Sequence, residues 1–135
     1  VILHLDTSFL VDLLRERTRG AEGPASAFLA RHLDDELRTS LLVACELMLG
    51  VERSDRGGEE RRRVEEVLSV VAVTLPTSAL APVYGRVLAS LQRRGEVIAT
   101  MDLLIALTAL VDGAPLVTRN AAHFERVPDL RLLEY

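Results

Sequence analysis

VILHLDTS, residues 1–8, decides how the whole chain is read. A short apolar run ends in an acid, and two good helix-capping residues follow it. The segment therefore reads as a strand that delivers Asp6 to its carboxyl end, with a helix starting just beyond. Phe9, Leu10, Leu13 and Leu14 supply the apolar stripe of that helix, which fades into RERTRGAEGP (15–24), where two glycines and Pro24 mark a connection. A second helix is expected over 24–33. The strand-then-helix unit then returns: ELRTS (36–40) is extended, and Ser40 can cap the apolar helix LLVACELMLGV (41–51), which stops at Gly50 or soon after. SDRGGEE (54–60) reads as a loop, and 59–69 as a solvated helix in which acids and arginines alternate at spacings of three and four. VVAVTLP (70–76) is a strand stopped by Pro76, followed by helices over 78–94 and 100–113. APLVTRN (114–120), AAHF (121–124) and DLRLLEY (129–135) close the chain as strand, short helix and strand. Strands separated by helices at this rhythm predict an α/β sandwich with a mostly parallel central sheet. In such sheets the ligand crevice lies beyond the carboxyl ends of the strands, which is where Asp6 falls.

The 135 residues, 49% of them hydrophobic, suit one globular domain spanning 1–135. The lone Cys45 excludes an internal disulfide framework and a cysteine-rich zinc site, and fits a reducing cytoplasm. No membrane span is expected, because Glu46 and Asp102 interrupt the longest apolar runs, and residues 1–6 are too short for a signal peptide. All 16 basic residues are arginine. Walker-type nucleotide binding, Schiff-base chemistry and a lysine-dependent phosphoaspartate switch are thereby excluded. A net charge of −4 argues against a broadly basic nucleic-acid surface, so such a substrate would need a local arginine patch or metal ions.

Three acids stand out. Glu46 lies inside LLVACELMLG, flanked by apolar side chains, and a partly buried carboxylate must be neutralised, paired or given a metal. Asp102 heads an apolar helix, where the helix dipole alone would favour an acid, and Asp6 could be a plain cap; for Glu46 the structural alternative is an arginine salt bridge. Brought to one crevice, the three would form an oxygen-donor site suited to Mg²⁺ or Mn²⁺ and to phosphodiester hydrolysis.

LDTSFLVDLL (5–14), SLLVACELMLGVERS (40–54), ATMDLLIALTAL (99–110) and LVTRNAAHFERVPDLRLLEY (116–135), in that order along essentially the whole chain, resemble the PIN-domain ribonucleases, and within them the VapC-type toxins of toxin–antitoxin pairs. The resemblance implies a PIN-like α/β/α sandwich and an endoribonuclease whose metal-binding catalytic acids are Asp6, Glu46 and Asp102. It implies also a homodimer and a small antitoxin that blocks the active groove. The chain departs from many relatives at Asn120, where they carry a fourth acid. Ser8, Thr118 and Asn120 are candidates to orient a water or phosphate behind the primary ligands. Arg15, Arg17 and Arg19 are the candidates for phosphate contacts.

Other conspicuous residues read as structure. His4 is expected to be a satisfied core histidine, His32 a solvated helix residue, His123 a surface or substrate-edge residue, and Cys45 a small buried hydrophobe. Arg61, Arg62 and Arg63 sit among Glu59, Glu60, Glu65 and Glu66 and read as a salt-bridge-laced face. Phe9, Phe28 and Phe124 belong to the core. The competing function is a PIN-like interaction module without catalysis, which the missing fourth acid favours and the three acids oppose. An aspartyl-phosphate phosphatase is excluded because Ser8 stands where its general acid would be.

Overall fold

The opening strand β1 (Ile2–Leu5) occupies the middle of the sheet. In the computed structural model, which describes residues 1–135, the elements that follow are α1 (Thr7–Arg19), α2 (Pro24–Arg31), β2 (Glu36–Ser40), α3 (Leu41–Arg53), α4 (Gly57–Val70), β3 (Ala72–Thr74), α5 (Leu80–Arg93), α6 (Thr100–Val111), β4 (Leu116–Val117), α7 (Ala121–Phe124) and β5 (Leu132–Leu133). The five strands run in the order β3-β2-β1-β4-β5, and every pairing is parallel. Chain order therefore leaves β1 in one direction for β2 and β3, then returns to its other edge for β4 and β5. The point of reversal lies just past Leu5, so the crevice expected of an open parallel sheet opens at Asp6.

Several boundaries differ from the sequence reading. RERTR stays helical to Arg19, because Arg and Glu are good helix formers, and the helix ends where Gly20 adopts φ 66°, returning its N–H to the carbonyls of Arg17 and Glu16. Gly50 does not stop α3, which continues to Arg53 on the buried anchors Leu47 and Val51. The expected loop 54–60 shrinks to 54–56, since α4 begins at Gly57 with Glu59 and Glu60 in its first turn. Of the three consecutive arginines only Arg61 is paired, with Glu52 of α3 at 2.5 Å; the laced face within α4 does not form. Cys45 is exposed, because α3 buries Val43, Ala44, Leu47 and Val51 and turns Cys45 outward. His32 is not free in solvent either: it stacks on Phe28 with centroids 4.1 Å apart and bonds Asp35 at 2.7 Å.

The core is one cluster in which Phe9, Phe28 and Phe124 take part as expected. Helix α6 buries Leu103 and all of 105–109, so it is enclosed on nearly every side and holds its own first residues firmly at the sheet edge. His4, 1% exposed, bonds Asp112 at the end of α6 through Nε2 at 2.7 Å, and Arg38 of β2 shares the same carboxylate oxygen at 2.9 Å. Burial lowers the His4 pKa against the pull of Asp112. The ring is therefore neutral near pH 7, with Nε2–H donating.

Glu16 does not stand out among the charges of RERTR, yet it is 3% exposed. Its two oxygens accept the N–H groups of Ala25 and Ser26 at 3.0 and 2.9 Å. Helix α2 has no side-chain cap of its own at Gly23, so an acid on α1 caps it across the turn. A Cβ on Gly23 would lie 2.6 Å from Glu16 Cδ. Gly23→Ala and Glu16→Gln are each expected to lower unfolding free energy by about 1–2 kcal/mol, measured by urea denaturation at pH 7; an unchanged midpoint in both would refute the cap. Burial pushes the Glu16 carboxyl up, but the N–H donors outweigh it and hold it below the usual range. Asp112 is likewise pushed up by burial and then held low by His4 and Arg38. Depressed folded pKa values mean that both contributions are complete above the unfolded carboxylate range and disappear as pH falls through the folded values. Acid should thus destabilise the parent more than Glu16→Gln.

Candidate active site

The site begins at the end of β1. Asp6 is 4% exposed and acts as the N-cap of α1, its Oδ1 accepting from Phe9 N at 2.9 Å and from the Ser8 hydroxyl at 2.7 Å. The Thr118 hydroxyl, at the end of β4, donates to the same carboxyl. Both structural and chemical readings of Asp6 therefore meet: the cap fixes its orientation, and the strand end exposes it to the crevice. Burial raises the pKa of Asp6, the three donors counter it, and the charge of Asp102 adds to the rise.

Asp102 enters from the first turn of α6. It lines a cavity of about 100 Å³ together with Asp6, Thr7, Ser8, Ile105, Asn120, His123 and Phe124. Two carboxylates thus share a small pocket that has no arginine in its lining. His123, expected at the surface or substrate edge, points Nε2 at Asp102 Oδ2 from 3.1 Å. Asn120 also reaches this pocket, its backbone N–H bonded to Thr118 Oγ1 at 2.9 Å.

Glu46 stands one step away. Its Oε1 accepts the Thr7 hydroxyl at 2.5 Å, and the carboxylate forms part of a groove of about 540 Å³ between α1, α3 and α4 that includes Val11, Leu14, Arg15, Arg19, Leu47 and Val64. Glu46 is only half-buried and has no arginine salt bridge; Thr7 joins it to the pocket. Arg15 and Arg19, four residues apart on α1, share that groove, whereas Arg17 is not part of it.

A third layer, absent from the sequence reading, locks the 118–120 segment onto α1. Arg119 NH1 contacts both carboxylate oxygens of Asp12 at 2.7 Å, and Tyr135 donates its hydroxyl to Asp12 at 2.8 Å. The Arg119 backbone N–H bonds Ser8 Oγ at 3.2 Å, so Asp12, Arg119, Ser8 and Asp6 form a continuous chain of support. Burial and the Asp12 contact raise the Tyr135 pKa, keeping the phenol protonated as a donor. These partners lie 107 to 123 positions apart, and no sequence spacing could announce them.

The donor set fits a hard divalent cation: carboxylate oxygens from Asp6 and Asp102, oriented by hydroxyls, with excess negative charge and no neighbouring guanidinium in the pocket. The side chains do not form a ready-made cage, since no three acids, histidines or cysteines converge closely enough to enclose an ion. Glu46, held by Thr7, is the acid standing apart.

Comparison with known proteins gives a consistent picture. Residues 3–130 match the family model of the PIN domain. Ribonuclease VapC19 of Mycobacterium tuberculosis is 36% identical over 130 residues, covering 94% of this chain and 95% of that protein. Ribonuclease VapC1 of Haemophilus influenzae is 30% identical over 131 residues, covering 97% and 96%. Among solved structures, VapBC2 from Rickettsia felis bound to a DNA fragment from its promoter superimposes with a TM-score of 0.89 at 27% identity, over 100% of this chain and 99% of that one. VapBC-1 from nontypeable Haemophilus influenzae gives 0.82 at 27% identity, over 99% and 98%.

Proposed function

The chain belongs to the PIN-domain family, and from that membership together with the paired carboxylates at the sheet's reversal point we propose that it is a divalent-metal-dependent endoribonuclease, the toxin of a VapBC-type pair. The observation that carries the reading is the convergence of Asp6 and Asp102 on one arginine-free pocket. Asp6, Asp102 and Glu46 would hold Mg²⁺ or Mn²⁺. When bound, the ion supplies polarisation of the scissile phosphodiester and a lower pKa for the attacking water. Ser8 and Thr118 orient the Asp6 carboxylate, Thr7 orients Glu46, and Asn120 offers a neutral amide beside them. Arg15 and Arg19, in the groove that contains Glu46, are placed to contact phosphates of the RNA; Arg17 has no such place.

Residues 1–135 act as a single PIN domain in this reading. A small VapB-like antitoxin would seat an apolar segment against Val11, Leu14, Leu47 and Val64 and so cover Glu46. The outward side of α3, where Leu41 and Leu49 are 38% and 48% exposed beside Cys45, is offered for homodimer contact, and sedimentation at micromolar concentration should show twice the chain mass. No helix is long and apolar enough to cross a membrane.

The test is cleavage of RNA by partner-free protein. Expected is cleavage with Mn²⁺ or Mg²⁺ that falls at least about a hundredfold in excess chelator and returns when the ion is restored. Cleavage indifferent to chelator would remove the metal from the account. No cleavage under any ion would favour the interaction module, to which the uncharged Asn120 already points.

A further inference from the structure

We infer that His123 Nε2 is itself a ligand of the divalent ion held by Asp6 and Asp102, which gives this site a nitrogen donor and a preference for Mn²⁺ over Mg²⁺. The inference rests on the carboxylate reading above and adds to it a residue that carboxylate chemistry does not supply. Of the three histidines, His4 is sealed in the core against Asp112 and His32 is stacked on Phe28 and bonded to Asp35. His123 alone faces a carboxylate of the pocket, 3.1 Å from Asp102 Oδ2.

Its placement is fixed by packing. Phe124, 3% exposed, anchors the short helix α7, and the imidazole stands edge-on to it at 5.1 Å and 76°. The His123 N–H also bonds the Asn120 carbonyl at 3.0 Å. As a purely structural ion pair the contact would contribute little, because its side chains are 38% and 36% exposed. As a ligand pair it has the right span, since two donors about 2.1 Å from an octahedral ion and at right angles stand roughly 3.0 Å apart. Asn120, the other side chain this segment sends into the pocket, is an uncharged amide, so the imidazole is the strongest donor the segment offers. Mg²⁺ prefers oxygen and gives up water reluctantly, whereas Mn²⁺ stands above it in affinity for a mixed nitrogen and oxygen set.

Pulsed electron paramagnetic resonance of Mn²⁺ added to the partner-free full chain at fixed pH tests this directly. The parent should show nitrogen hyperfine coupling that changes isotope pattern when the protein carries heavy-nitrogen histidine. His123→Gln should still bind Mn²⁺, about tenfold more weakly, without that coupling and with its preference over Mg²⁺ reduced; circular dichroism would verify its fold. Asp102→Asn should lose binding further. Mn²⁺ bound in an Asp102-dependent way but with no nitrogen coupling, or coupling retained in His123→Gln, overturns the inference and leaves the carboxylate reading intact. Failure of the parent to bind Mn²⁺ at all overturns both.

Discussion

Asp6→Asn should reduce RNA cleavage by about a thousandfold or more, while the variant melts at the same temperature as the parent or slightly above it. The loss follows from removing a charged donor at the sheet's reversal point. The retained or raised stability follows from the same geometry. Asparagine keeps an oxygen for the Phe9 N–H and the Ser8 hydroxyl, so the cap of α1 survives. Burial and Asp102 raise the folded pKa of Asp6, so the folded chain bears a charge penalty that grows as pH rises from the unfolded value through the folded one. The neutral amide relieves it. Single-turnover cleavage and thermal melting at pH 7 check both halves. A variant that melts far below the parent would make Asp6 chiefly a cap, and one that cleaves at the parental rate would remove it from catalysis.

Phe9→Ala is expected to be the most damaging change in the core near the site, costing about 3–5 kcal/mol and lowering the melting temperature by roughly 10 °C or more. Phe9 is fully buried and meets Phe28 and Tyr135 edge-on, with centroids 5.6 and 4.7 Å away. Its removal opens a cavity under α1 and frees Tyr135, whose hydroxyl helps hold Asp12 and, through it, Arg119. Cleavage should therefore fall well below the melting temperature too, which separates loss of positioning from loss of fold. A melting shift within about 2 °C would mean that neighbouring side chains collapse into the space, an outcome that the partial relaxation around large-to-small core substitutions rarely allows at a site this enclosed.

What the sequence made legible were features encoded locally. Asp6 can be placed because a strand and a cap are read within one short segment, and Asp102 because an acid heading an apolar helix is visible in its own segment. Glu46 stands out on a weaker footing: apolar neighbours along the helix suggest burial, yet Leu41, Cys45 and Leu49 of α3 face outward. Apolar sequence marks a surface that wants covering, and only packing decides what covers it. Glu16 is invisible for the converse reason. Its charge sits among arginines, and its role depends on α2 starting at a glycine with no side chain to cap it. The unaided Gly23-Pro24 start is the available signal. His123, Asp12, Arg119 and Tyr135 acquire their roles only through contacts across the folded chain. Charge alternation in α4 suggests a web of ion pairs, but exposed arginines gain too little from such pairing to hold one geometry.

The central claim is that carboxylates from β1's end and α6's first turn form one centre, and the rates of Asp6→Asn, Asp102→Asn and their double variant in RNA cleavage test it most directly. Groups acting through a common ion lose their function together. Each single variant should therefore fall by about a thousandfold, and the double should fall no further. Losses that multiply in the double variant, or a single variant that cleaves at the parental rate, would contradict a shared centre.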